Sequence, residues 1–237
     1  EIFRWKGTFT DNPAGNNVTL SVSWEKMPGA AVRVAVDPAG NAWVVNSGGG
    51  IYTWVNNNWV QRPGAAKDVA VCSTGAVYVI GTDNAPYKWN GTNNWDKQPG
   101  GPLLNIACDG TGRLYATTPT EQILTAGPVA TPVAIAPLPS PAPAPGVAAG
   151  WTQMPGAAVD IGAAGAGQVW VTNKGQNIYR WVNNNWTQMP GAAVRVAVDP
   201  SGNAWVVNAG GGIYHWENNN WKQIPGALTD IGVGGPA

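Results

Sequence analysis

Charge is scarce in this chain. Thirteen Lys and Arg balance thirteen Asp and Glu over 237 residues, and there is one histidine. A nucleic-acid binder carries a basic patch or stripe; none is visible, so nucleic acid is excluded as a partner. No apolar run approaches the ~20 residues of a spanning helix, so no transmembrane segment is expected. No signal peptide is present, and the start at Glu1 rather than Met reads as a processed or trimmed product. Cysteine is confined to Cys72 and Cys108, with no C-x-x-C pair to support a zinc or redox motif. The two fall in the same strand of neighbouring repeats, offset by one residue. Adjacent strand residues point to opposite faces, so the offset favours two free thiols, with a disulfide as the alternative. His215 has Thr53 as its counterpart in a near-identical repeat, and no nucleophile–base pair or metal-ligand cluster is visible. Catalytic residues, metal and cofactor are therefore expected to be absent; Asp37 and Asp199, in equivalent Asp-Pro-x-Gly turns, read as turn formers.

What the chain has instead is 14 tryptophans, 32 glycines and a repeat of roughly 35 residues, in the range of propellers and solenoids. Residues 24–58, 151–185 and 186–220 are the clearest copies, 59–94 is more diverged, and Trp95 and Trp221 open two more. Each copy holds four short β-like runs, here A to D. In the first copy A is 32–36, B is 42–45, C is 51–54 and D is 59–62. The turns between them carry Asp37, Pro38 and Gly40, then Ser47 with three glycines, then the triplet Asn56, Asn57, Asn58. Asparagine and glycine tolerate the positive φ of tight hairpins. Pro63-Gly64 is expected to break the chain before the next A strand. No 3.6-residue apolar period appears, which excludes helical repeats.

Four antiparallel strands per repeat make a propeller blade. The sequence therefore predicts an all-β, six-bladed β-propeller in a single domain over 1–237, with its termini sharing one blade. In that blade A is 229–233, C is 1–5 and D lies near 21–27. Strand B is missing: nothing between Gly235 and Glu1 reads like the VWVT of blade four, and about ten residues are lacking relative to 167–177. Two fillings are open: residues of a longer protein before Glu1 or after Ala237, or a strand added by a neighbouring molecule. Blade three has a weak C strand near 122–124, followed by a Pro/Ala-rich insertion over 126–150 that favours polyproline II. The other long excursion is 6–20, between C and D of blade six.

The repeated pattern W-x-x-x-P-G-A, then a strand, G-x-V-W and I-Y-x-W resembles the tectonin family over most of the chain. The resemblance implies a six-bladed propeller that binds glycans, often microbial surface sugars, outside the cell or at the cell surface. A multivalent lectin is the leading expectation, with glycans or glycoconjugates as partners. A structural or assembly module of an extracellular fibre or surface layer, self-associating, is the alternative.

The D tryptophans (Trp24, Trp59, Trp95, Trp151, Trp186, Trp221) and C tryptophans (Trp5, Trp54, Trp89, Trp181, Trp216) recur too regularly to be ligand platforms first. They read as filling between blades. Loops are the better sites. The face holding the B–C turns carries Asn46, Ser47, Asn173, Lys174 and Asn208, with Arg33 and Arg195 beside it; amide and guanidinium groups suit sugar hydroxyls and acidic sugars. Asn17, Asn90 and Asn185 open N-glycosylation acceptor triplets.

Overall fold

The computed structural model describes residues 1–6, 8–10, 19–21, 23–127, 150–165 and 167–234. Among them there is no helix, only β-strands: β1 (Ile2–Trp5), β2 (Thr8–Thr10), β3 (Thr19–Ser21), β4 (Trp24–Met27), β5 (Arg33–Val36), β6 (Ala42–Val45), β7 (Gly50–Val55), β8 (Asn58–Val71), β9 (Val77–Gly81), β10 (Pro86–Trp89), β11 (Trp95–Lys97), β12 (Asn105–Cys108), β13 (Leu114–Thr117), β14 (Gln122–Ala126), β15 (Trp151–Ala157), β16 (Asp160–Ala164), β17 (Gln168–Thr172), β18 (Asn177–Val182), β19 (Asn185–Ala192), β20 (Arg195–Val198), β21 (Ala204–Val207), β22 (Ile213–Glu217) and β23 (Asn220–Ile224).

The strands form antiparallel meanders. Units three, four and five are four-stranded sheets: β12 to β15, β16 to β19 and β20 to β23. Units one and two merge into a seven-stranded sheet from β5 to β11, because β8 serves both. Its residues 58–65 pair with β7 and residues 66–71 with β9. The Pro63-Gly64 break expected from the sequence is thus a kink inside one strand. Gly64 takes φ +85, which a side chain would resist, and the ladder slips in register on both sides. A further two-stranded sheet joins β1 to β4, and a separate hairpin joins β2 to β3 within the excursion after Lys6. The weak third strand of unit three is well formed, since β14 pairs with both β13 and β15. Residues 128–149, most of the Pro/Ala-rich stretch, lie outside the described residues.

The asparagine triplets do what their chemistry allows. Asn56 and Asn57, Asn183 and Asn184, and Asn218 and Asn219 all have positive φ near 50–60°, the geometry of a two-residue type I′ hairpin. In these three hairpins the turn sets two tryptophans opposite one another, and the same pairing recurs without it at Trp5–Trp24 and Trp89–Trp95. Trp5–Trp24, Trp54–Trp59, Trp89–Trp95, Trp181–Trp186 and Trp216–Trp221 pack edge to face with ring centroids 4.8–4.9 Å apart.

Neighbouring units are latched by those same indoles. The fourth-strand tryptophan donates its Nε1–H to the carbonyl of the proline in the preceding unit's Pro-Gly corner. Trp59 reaches Pro28, Trp95 Pro63, Trp151 Pro99, Trp186 Pro155, Trp221 Pro190 and Trp24 Pro225, at 2.6–3.0 Å. The six bonds form one closed cycle. At the tightest corner the glycine after the proline leaves room for the ring: a Cβ on Gly100 would lie 2.2 Å from Trp151 Nε1.

Cys72 and Cys108 are bridged, with Cα atoms 4.9 Å apart, which corrects the expectation of two free thiols. Strand alternation orders the faces of a single sheet, whereas this bridge joins two sheets. Cys72 also lies just past the last ladder pair, Val71 with Val77, where its N–H already caps the turn at Ala76. The bridge is buried with Ile80, Leu103, Leu114 and Trp151.

Candidate functional site

The first strands β5, β12, β16 and β20, the second half of β8, and residues 230–233 converge. Residues 33–36, 68–71, 106–108, 160–163, 196–198 and 230–233 line one narrow cavity of about 90 Å³. At the head of these strands stand Arg33, Asp68, Asn105, Asp160, Arg195 and Asp230, a ring of three carboxylates and two guanidiniums. Each carboxylate staples its unit to the next: Asp68 Oδ2 accepts from Ile106 N, Asp160 Oδ2 from Val196 N and Asp230 Oδ2 from Val34 N, at 2.7–3.0 Å. Arg33 Nε lies 3.2 Å from Asp68 Oδ1. Arg195 stands between two acids, 3.4 Å from Asp230 and 3.8 Å from Asp160. Asn105, at the third basic position, instead donates to Thr117 Oγ1 and the Val159 carbonyl.

With three acids sharing two cations, desolvation outweighs attraction. Burial pushes Asp68 and Asp160 up to about 7, and Asp230 up to about 6, against the opposing pull of Arg33 and Arg195. The ring therefore takes up a proton near neutral pH. Among the described residues no group of three His, Cys, Asp or Glu side chains could hold a metal ion.

The second-to-third-strand turns are built on asparagine. Asn46 Oδ1 accepts from Gly48 N and Gly50 N, and Asn208 Oδ1 from Gly210 N and Gly212 N. Asn173 Oδ1 accepts from Asn177 N. Ser47 and Lys174 are exposed, the lysine 4.0 Å from Glu121 Oε1 across to the neighbouring unit. Of the residues singled out from the sequence, Arg33 and Asn208 line a common large cavity, described below; Asn46, Ser47, Asn173, Lys174 and Arg195 do not. Asn90 and Asn185 are exposed, though each carboxamide oxygen is bonded within its own turn. Asn17 lies outside the described residues.

The large cavity, about 930 Å³, opens between residues 2–5 on one side and 228–234 on the other. Residues 229–233, expected as a first strand, join no ladder; Asp230 marks their place through its bond to Val34.

The profile of the tectonin domain matches residues 1–127 and 155–237, all of the chain but the Pro/Ala-rich segment and a few flanking residues. The chain belongs to the tectonin family. No curated protein matches it. Among solved structures, the gluconolactonase XC5397 from Xanthomonas campestris superposes with a TM-score of 0.58 at 10% identity, covering 84% of this chain and 79% of that one. Human WBSCR16 gives 0.56 at 10% identity, covering 83% and 68%. YCF48 bound to D1 peptide gives 0.50 at 14% identity, covering 84% and 69%. At these identities the likeness shows the fold alone, an all-β architecture of propeller type.

Within this tectonin, sequence reasoning missed the three aspartates of the axial ring. Their signal was present: Asp68, Asp160 and Asp230 each fall at the same first-strand position in alternate repeats, where Arg33 and Arg195 occupy two of the others. A charge that changes sign from one copy to the next marks an ion-pair ring between units.

Proposed function

We propose that this tectonin is a non-catalytic, multivalent lectin for surface glycans, acting outside the cell or at the cell surface. The observation that carries the reading is the tectonin match spread across all the repeats. We propose further that the six units close as a six-bladed β-propeller. Residues 2–5, 24–27 and 228–234 share its sixth blade, and the 126–150 stretch is inserted in its third. The closed cycle of indole–proline bonds and the shared axial cavity support that closure.

The sugar-contacting groups are assigned to the second-to-third-strand turns. Asn46, Asn173 and Asn208 commit their carboxamide oxygens to the turn, so the Nδ2 donors are what these turns offer to hydroxyls. Ser47 and Lys174 stand beside them, exposed, while Arg33 and Arg195 stand behind with their charge shared by the three aspartates. Repetition multiplies weak contacts, since linked sites gain avidity without new bonds.

A glycan array probed with the purified chain tests this, with sugar-competable binding as the expected result. Asn46→Asp, Asn173→Asp and Asn208→Asp keep the turn acceptors but remove the donors. The triple variant is expected to bind at least tenfold more weakly, each lost bond being worth about 1 kcal/mol. A folded chain that binds nothing on the array overturns the reading. A structural or assembly module is the second reading, favoured by the open edge beside β1. Assembly in solution without sugar binding would decide for it.

A further inference from the structure

The 930 Å³ cavity has the walls of a β-sheet slot. In the five other units a second strand pairs on one side with the first strand and on the other with the third. In the sixth, β1 pairs with β4 alone among the described strands, and residues 229–233 carry no backbone ladder. Yet those residues hold the first-strand position: Asp230 caps Val34 N as Asp160 caps Val196 N. The close backbone approach repeats as well. A Cβ on Gly232 would lie 2.6 Å from the Val34 carbonyl oxygen, and one on Gly162 would lie 2.9 Å from that of Val196.

The walls specify what they accept, because unit four has nearly the same pair. Asp160-Ile161-Gly162-Ala163 and Ile178-Tyr179-Arg180-Trp181 flank β17; Asp230-Ile231-Gly232-Val233 and Ile2-Phe3-Arg4-Trp5 flank the cavity. In β17, Trp170 lies opposite Gly162 on one side and Arg180 on the other, with the guanidinium 5.4 Å from the ring centroid. Unit two repeats the pairing with Lys88 over Tyr78 at 5.9 Å, and unit five stacks His215 on Trp205 at 4.3 Å. In the sixth unit Gly232 and Arg4 stand at the corresponding places.

We infer that the slot between residues 2–5 and 229–233 binds an extended peptide segment of another polypeptide. That segment is about five residues long, uncharged at its centre, with an aromatic residue flanked by aliphatic ones as in Gln-Val-Trp-Val-Thr. It enters antiparallel to both walls and gives its main-chain N–H and C=O groups to two edges at once. Ordinary strand addition has only one edge to use. Its aromatic ring sits over Gly232 and against Arg4, toward Val34 as Trp170 packs with Val196, and the two aliphatic side chains point to the opposite face, toward Trp205 and Val207, as Val169 and Val171 pack with Tyr115. This inference does not depend on glycan binding.

The test adds a synthetic peptide, Gly-Gln-Val-Trp-Val-Thr-Asn with a lysine tail for solubility, to the full chain. Saturable binding is expected, with Tm raised by about 5–10 °C at a hundredfold excess over Kd. The same peptide with proline at both valines is expected to give no shift, since proline cannot donate to a ladder. Arg4→Ala should weaken binding of the tryptophan peptide about two- to fivefold, the worth of one cation–π contact. A photoreactive group in place of the tryptophan should cross-link to residues 2–5 or 228–234. No saturable binding, an equal response to the proline peptide, or cross-links elsewhere would overturn the inference.

Discussion

Trp43 and Trp205 occupy the same position in two almost identical repeats, yet their surroundings differ. Trp43 is buried, edge-on to Trp89 at 6.0 Å and Trp95 at 6.4 Å, with the Arg62 guanidinium 5.6 Å from its ring. Trp205 is only half-buried and lines the large cavity. Trp43→Ala is expected to cost about 3–5 kcal/mol, the range for truncating a buried aromatic. Trp205→Ala should cost clearly less, and denaturant unfolding of both variants checks the difference. The axial acids make a second residue-scale prediction. Asp68, Asp160 and Asp230 titrate higher in the fold than in the unfolded chain, where an aspartate sits near 3.8. The folded state thus binds more protons between those limits. The stabilisation is fully present below about pH 4 and is lost as pH rises through 6–7. Tm should be higher at pH 5 than at pH 8. Asp160→Asn keeps an acceptor for Val196 N, and Asp230 remains beside Arg195, so the variant should lose part of that pH slope and be at least as stable as the parent at pH 8.

At the scale of strands and turns, the bridge between β12 and the end of β8 is the only covalent tie between two sheets among the described residues. It closes a 36-residue separation. Cys72→Ser with Cys108→Ser should destabilise by about 3–4 kcal/mol on loop entropy, read as a drop in Tm that reducing agent reproduces in the parent. The pairing was hard to read from the sequence because strand alternation compares residues on one sheet, while the thiols approach each other across two. The hairpins were legible for the opposite reason. Asn56-Asn57 and its copies are local signals, since positive φ is decided by the residue itself. Pro63-Gly64 was half legible: the kink is local, but whether a ladder continues through it depends on β7 and β9 on either side. The turn residues Asn46, Asn173 and Asn208 could be found by repetition. The Asp ring was legible only as a position that alternates in sign between repeats; each aspartate reads as an isolated polar residue until the fold brings Arg33 and Arg195 beside it.

At the scale of the whole molecule, three kinds of tie between units stand out. These are the six indole–proline bonds, the carboxylate staples of alternate units, and the single disulfide between units two and three. The four junctions between units one to five join complete sheets. The two junctions of unit six do not, since the cavity separates β1 from residues 228–234. Amide hydrogen exchange should therefore be fastest in β1 and in residues 228–234, and slowest in β13 and β17. Uniform protection around the ring would contradict this. Mechanically, the proposed six-bladed ring would behave as a split washer: five spokes stiff and one slotted, so that strain from a tug on any attached surface would collect at the slot. A strand seated there would turn the split washer into a solid one, and the force needed to spread it would become a gauge of occupancy.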